Sequence, residues 1–266
     1  MDIQSKIILI SGPTASGKSS FAVKVAKKVN GEIINADSMQ VYKKLKILTA
    51  RPKRKDQKHI KHHLYGIVNL NESFSTGQWL KLAIKKIKEI KQKKKVPILV
   101  GGTGLYFQSL INGLVKVPNI PIKTRNKIRL MQKKNGQKKF YKKLIKLDSK
   151  IKDKTRSEFN ENEFMKLYID FNRPELIKRI SNRVNKMLQD GAIREVKNFI
   201  KQKIKKDRSV NKVIGIDELT QYLNNQVSLD SAKETISVRS RQYAKRQATW
   251  ARTRMINWIK INPTKI

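Results

Sequence analysis

The 266-residue chain has no cysteine, only three histidines and few acidic side chains. Without cysteine it has neither disulfide bonds nor thiolate metal sites. No apolar run in the sequence is long enough to cross a membrane, and the first residues lead directly into an apolar run. We therefore expect no signal peptide, and a cytoplasmic, monomeric protein with no membrane partner.

The shortage of acidic residues leaves a large positive charge. Asp and Glu number 20 against 61 Lys and Arg, which gives a formal net charge of +41. An excess of this size favours a polyanionic partner, and nucleic acid is the first candidate. The alternative is a compositional drift toward Lys, Ile and Asn, in which many lysines are solvated and bind nothing.

The motif that says most about chemistry is Gly-Pro-Thr-Ala-Ser-Gly-Lys-Ser at 12–19, a match to G-x-x-x-x-G-K-[ST]. An apolar run precedes it and a helical pattern follows, as in a phosphate-binding loop. Its backbone N–H groups would face one anion, Lys18 would add a positive charge, and the Ser19 hydroxyl could bind Mg²⁺. The predicted nucleotide- or diphosphate-binding residues are Gly12, Pro13, Thr14, Ala15, Ser16, Gly17, Lys18 and Ser19.

The apolar pattern predicts an α/β fold: a P-loop NTPase-like parallel sheet flanked by helices, with a helical insertion. Predicted strands lie at 6–10, 32–36, 96–100 and 166–171. Predicted helices lie at 18–29, 174–188 and 230–254. We expect a first part of the core at 1–122, a basic helical insertion at 123–160, and the completion of the core at 161–266 with its long basic helix.

Two polar side chains follow predicted strands at the edge where the loop lies. Ligands of an open parallel sheet bind beyond the carboxyl ends of the strands, so Asp37 and Thr103 should share a crevice with the loop. Asp37 could accept a proton from an attacking hydroxyl or amine, or else cap a helix. Thr103 could hydrogen-bond a substrate, or else only its own turn.

The sequence has no good match to a Walker B motif, in which an acidic residue follows an apolar strand. The run at 96–100 ends in glycine, and Asp170 lies far along the chain. This disfavours a motor-type NTPase and favours a transferase with a small substrate.

The helix at 230–254 carries basic residues interleaved with Tyr243 and Trp250. This pattern suits phosphate contacts and base stacking, or else a solvated helix with its aromatic residues packed inward.

Together these motifs resemble the tRNA dimethylallyltransferases, or isopentenyl-diphosphate:tRNA transferases. The matching segments are collinear along nearly the whole chain. They lie at 12–19, 37–42, 49–52, 62–64, 101–106, 191–196, 214–215 and 241–250.

The resemblance implies transfer of a dimethylallyl group from dimethylallyl diphosphate to N6 of the adenosine just 3′ of a tRNA anticodon. The loop and Mg²⁺ near Ser19 would hold the diphosphate, and Arg241 would neutralise it as it leaves. Asp37 would take the proton of the amine, and Thr103 would hold the base or the diphosphate. The implied tRNA-binding residues are Asp37, Ser38, Met39, Gln40, Thr103, Arg125, Lys245, Arg246, Gln247 and Arg252.

The sequence departs from the family pattern in two places. An Asp-x-x-Arg-x-x-Arg-Ala helix, which the family carries before the fourth predicted strand, is missing, so the insertion at 123–160 is shortened by a few tens of residues. The segment Ile216-Asp217-Glu218 stands where the family usually has tyrosine and a basic residue. Two other functions stay open: a P-loop kinase of small molecules or nucleosides, and a degenerate tRNA-binding protein without turnover.

Overall fold

A computed structural model describes residues 3–53, 59–115, 120–148 and 156–262 of the chain, with the backbone alone for 143–148. The strands are β1 (Ile7–Ser11), β2 (Gly31–Asn35), β3 (His62–His63), β4 (Val96–Gly101), β5 (Phe164–Ile169) and β6 (Ile259–Ile261). The helices are α1 (Lys18–Lys28), α2 (Thr76–Gln92), α3 (Gly104–Asn112), α4 (Ile122–Asp148), α5 (Arg173–Gln189), α6 (Ala192–Ile200), α7 (Ile216–Leu223) and α8 (Leu229–Arg254).

The six strands form one parallel sheet in the order β3-β2-β4-β1-β5-β6. β1 lies between β4 and β5: β2, β3 and β4 lie on one side of it, and the chain then crosses to place β5 and β6 on the other side. Such a reversal opens a crevice at the carboxyl ends of the strands. The predicted α/β fold with a parallel sheet and flanking helices is confirmed.

Both faces of the sheet are covered, which explains why β1, β2 and β4 are buried at every residue. Ile8 and Ile10 pack toward α1 with Ala22, whereas Ile7 and Leu9 share a core with Trp79 of α2 and Phe107 of α3. Alternation of side chains along a strand sends neighbours to opposite faces. A further core lies among α5–α8 and the segment that follows β2.

Contacts divide the chain into two compact units, one of residues 1–111 and 158–266 and one of residues 112–157. The smaller unit holds α4, which is interrupted at Gly136 by a left-handed backbone (φ 72°). Most of its side chains up to residue 142 are exposed, including Ile122 and Leu130, while Phe140 is buried. Part of the predicted insertion, 149–155, lies outside the described residues.

The four predicted strands are present within two residues of their expected ends, and so are the three predicted core helices. α2 begins with a capping box in which Ser75 and Gln78 exchange side-chain-to-backbone hydrogen bonds. Among the residues that the structure describes, no helix combines the length and apolar character that a membrane crossing needs.

Candidate active site

The loop after β1 is shaped by backbone conformations that its sequence permits. Gly17 has φ 86° just before α1, and Ala15 has φ 63°. Gly12 lies so close to β5 that a Cβ there would be 3.0 Å from the Ile169 carbonyl oxygen. Ser16 is completely buried, and its hydroxyl has no hydrogen-bond partner among the described residues. The loop therefore encloses a polar atom that a bound anion could satisfy.

Cationic side chains converge on this loop. Lys18 Nζ donates to the Pro13 carbonyl at 2.6 Å, and Arg183 of α5 donates through Nη1 to Thr14 Oγ1 at 2.6 Å. Arg179, one turn earlier on α5, has its Nη1 3.5 Å from where a Cβ on Gly17 would lie. Two charges from α5 thus join Lys18 where the motif predicted a phosphate.

Burial of these cations changes their protonation. Desolvation lowers the pKa of Lys18 to about 8; the charge of Asp37 raises it in part and that of Arg183 lowers it. Burial also lowers the pKa of Arg183, which Asp37 and Tyr243 counteract. Desolvated cations without full compensation are expected where an anion is to bind, because the anion restores their favourable interactions.

Asp37 follows β2 in a loop that is fixed by hydrogen bonds. Asn35 Oδ1 accepts from Asp37 N at 2.9 Å, and Asp37 Oδ1 accepts from Met39 N at 2.9 Å. The segment is a turn and no helix starts there, so Asp37 is not the helix cap that the sequence left open. Its negative charge acts on Lys18 and Arg183 and, together with burial, raises the pKa of Tyr243. The charge of the Asp37 carboxylate therefore favours the protonated forms of Lys18 and Arg183.

Thr103 ties the loop after β4 to the loop after β2. Its hydroxyl oxygen accepts from Ser38 N at 2.9 Å, and the hydroxyl lies 3.2 Å from Ser38 Oγ, to which it donates. A Cβ on Gly101 would be 2.0 Å from the Ala36 carbonyl oxygen, so only glycine lets the two strands end this close together. Thr103 thus bonds to Ser38 on the Asp37 loop, 65 residues away in sequence.

A cavity of about 270 Å³ opens between these loops and α8. Its lining combines polar loop atoms with one face of the helix. The lining residues include Ser11, Gly12, Ser38, Thr103, Tyr243, Arg246, Gln247 and Trp250. Tyr243 and Trp250 border this cavity. The sequence left open whether these aromatic rings stack on bases or pack inward.

The structure distributes the other predicted site residues more widely. Arg241 forms an ion pair with Glu234 on α8 at 2.9 Å, whereas Arg183 donates a hydrogen bond to the loop. Gln40 donates through Nε2 to the Thr49 carbonyl at 2.8 Å. Arg125 is exposed on α4 in the smaller unit.

The described residues contain no group of three or more His, Asp or Glu side chains that could hold a metal ion. His63 instead contacts the buried Glu32, with 2.7 Å between Nε2 and Oε2. Lys95 reaches the other oxygen of Glu32 at 3.1 Å. A metal at the loop would therefore depend on Ser19 and on the oxygens of a bound ligand.

Comparisons with known proteins agree with this geometry. The sequence model of the IPP transferase family matches residues 40–161 and 149–254. The chain belongs to the IPP transferase family. It is 66% identical over 295 residues to the tRNA dimethylallyltransferase of Pelagibacter ubique, covering 100% of this chain and 94% of that protein.

Two further comparisons support the assignment to the IPP transferases. The tRNA dimethylallyltransferase of Rickettsia massiliae is 38% identical, with 98% of this chain and 80% of that protein covered. The crystal structure of the full-length tRNA isopentenylpyrophosphate transferase of Bacillus halodurans matches with a TM-score of 0.77 and 33% identity. It covers 97% of this chain and 90% of that chain.

The alignments also bear on the length of this IPP transferase. The two segments matched by the family overlap at 149–161, where the expected helix is missing from the sequence. The Pelagibacter alignment runs over 295 residues, 29 more than the 266 of this chain. The shortened insertion at 123–160 stays a prediction.

Proposed function

We propose that the chain is a tRNA dimethylallyltransferase that modifies N6 of the adenosine 3′-adjacent to the anticodon. The observation that carries this proposal is the placement of Asp37, whose charge acts on the cationic loop while its neighbour Ser38 lines the cavity beside α8. An acid next to an anion site suits an acceptor amine that must lose a proton while a diphosphate leaves.

The diphosphate of dimethylallyl diphosphate would lie on the loop at 12–19. Lys18 and Arg183 would neutralise it, and the buried Ser16 hydroxyl would gain a partner. Mg²⁺ would suit this site as an ion held by Ser19 and diphosphate oxygens, since it commonly keeps several waters and takes few protein ligands. When bound, it would add positive charge at the leaving group.

The transfer needs no reactant besides dimethylallyl diphosphate, the adenosine and these side chains. The allylic C–O bond breaks, its electron pair leaves with the diphosphate, and N6 of the adenosine forms the new C–N bond. The carboxylate of Asp37 accepts the proton that N6 loses. Cationic side chains and loop N–H groups stabilise the growing charge on the diphosphate.

The target base would have to leave its stack to reach the cavity. Tyr243 and Trp250 border that cavity and offer aromatic faces for stacking. Lys245 and Arg252 are exposed on α8 and would contact the RNA backbone, as would Arg246, which also borders the cavity.

The test is Asp37→Asn, assayed with dimethylallyl diphosphate, Mg²⁺ and an unmodified tRNA under single-turnover conditions. Loss of the base should lower the rate by about 10²–10⁴-fold, while the affinity for dimethylallyl diphosphate stays within about twofold. The modified nucleoside is quantified by mass spectrometry.

Asp170→Asn is the matched control, because Asp170 also lies at the carboxyl edge of the sheet but is exposed and close to Lys260. Wild-type rates in the Asp37 variant would remove its role as the base. Tight tRNA binding by the wild-type protein without any product would show a binding protein and not an enzyme.

A further inference from the structure

Gln247 of α8 hydrogen-bonds to both the phosphate-binding loop and the loop after β4. Its Oε1 accepts from the Thr14 backbone N–H of the phosphate-binding loop at 2.8 Å. Its Nε2 donates to the Gly102 carbonyl, just before Thr103, at 2.9 Å. One amide thus joins two loops whose residues lie 88 positions apart in the sequence.

The glycines after β4 show how closely α8 packs here. A Cβ on Gly102 would lie 2.1 Å from Gln247 Nε2, and one on Gly104 would lie 2.3 Å from the Trp250 ring. Gln247 and Trp250 are one turn apart on the same face of α8. These two glycines therefore make room for the helix, and this contact places the amide between the loops.

The same loops carry the groups that the proposed reaction uses. Thr14 also accepts a hydrogen bond from Arg183, and Thr103 bonds to Ser38 beside Asp37. A shift of Gln247 would move the cationic loop relative to the Asp37 loop. Displacements of about 1 Å can cost about a hundredfold in rate when they disturb reacting groups.

We propose that Gln247 is a positioning residue that holds the phosphate-binding loop and the Thr103 loop at a fixed separation. This inference rests on the proposed function, and it assigns Gln247 a role other than contact with tRNA. Gln247 is half-buried with both amide atoms bonded to protein, whereas its neighbours Lys245 and Arg246 are exposed.

The first variant is Gln247→Met. It keeps the length and the helix propensity of the side chain but removes the hydrogen bonds to Thr14 and Gly102. We expect the affinity for inorganic pyrophosphate, measured by calorimetry, to fall about 3–10-fold, and kcat for transfer to fall about tenfold or more. The KM for tRNA should stay within about twofold. Gln221→Met, an exposed glutamine on α7, is the matched control.

The second variant, Gly102→Ala, places a methyl group where the Gln247 amide lies and so displaces that amide. If Gln247→Met does not fold, Gly102→Ala alone tests the proposal. Because both changes act on one contact, the double variant should be no worse than either single variant. Melting temperatures establish that each protein is folded at the assay temperature.

Weaker pyrophosphate binding in both variants, with the KM for tRNA unchanged, supports the positioning role. Unchanged pyrophosphate affinity, a raised KM for tRNA, or additive losses in the double variant would each overturn it. A wild-type protein that transfers nothing overturns the proposed function alone, since the pyrophosphate measurement still decides the role of Gln247.

Discussion

The affinity for the diphosphate substrate should depend on pH through Lys18. Burial lowers the pKa of this ammonium to about 8 in the free protein. A bound diphosphate would favour the charged form and return the pKa toward its ordinary value near 10.4. Binding above neutral pH must therefore be accompanied by uptake of a proton, which costs affinity.

The direction and size of the effect follow from this difference. Below about pH 7 the ammonium is charged in both states, so Lys18 contributes no pH dependence there. As pH rises through 8 the free protein loses its proton first, so the dissociation constant should increase about tenfold between pH 7 and pH 9. At pH 8 binding should take up about half a proton.

The assay is calorimetric titration with dimethylallyl diphosphate in the absence of tRNA, so that the ligand is not consumed. Buffers of different ionisation enthalpy report the number of protons taken up. Lys18→Arg is the control, because a guanidinium stays charged through pH 9 and its profile should be level. A wild-type dissociation constant that is equal at pH 7 and pH 9 would refute the reasoning.

Two further substitutions test how the site is held and charged. Arg183→Met should lower the transfer rate by about 10²–10³-fold, because Arg183 contacts the phosphate-binding loop. Arg241→Met should change this rate by less than about threefold, because Arg241 pairs with Glu234. The reverse order in single-turnover rates would return the diphosphate role to Arg241. Glu195 accepts hydrogen bonds from the backbone N–H groups of residues 46–48. Glu195→Ala should therefore lower the free energy of unfolding, measured in urea, by about 2–4 kcal/mol. An unchanged urea midpoint would contradict this prediction.

Much of the sheet could be predicted because its strands are buried on both faces. β1, β2 and β4 are short apolar runs that end near glycine or polar residues, which periodicity and composition reveal. β3 has only two residues and β6 only three, so neither carries a pattern. Their pairing depends on neighbours that the local sequence does not contain.

The site was predictable where a motif fixes the local backbone, as at 12–19. Arg183 could not be found in this way, since it reaches Thr14 from 169 residues away through the packing of α5. Its spacing of four from Arg179, with Ile180 and Val184 buried, could only have indicated two arginines near one face of a helix.

Helix geometry explains the different placements of Arg241 and Gln247. Six residues separate them, which is about 120° around a helix of 3.6 residues per turn. Gln247 therefore faces the loops while Arg241 pairs with Glu234 on the same helix. Both belong to one sequence motif, and the position of α8 against the sheet decides which of them contacts the loops.

The position of β1 between β4 and β5 has a consequence for biosynthesis. Ile8 pairs with Ile98 and with Met165, which follow it by 90 and 157 residues. More than half of the chain must leave the ribosome before this central strand has both neighbours. Until then one edge of the apolar strand next to the future catalytic loop stays unpaired, and contacts this distant form slowly. The emerging polypeptide should therefore be a client of chaperones until β5 has been made.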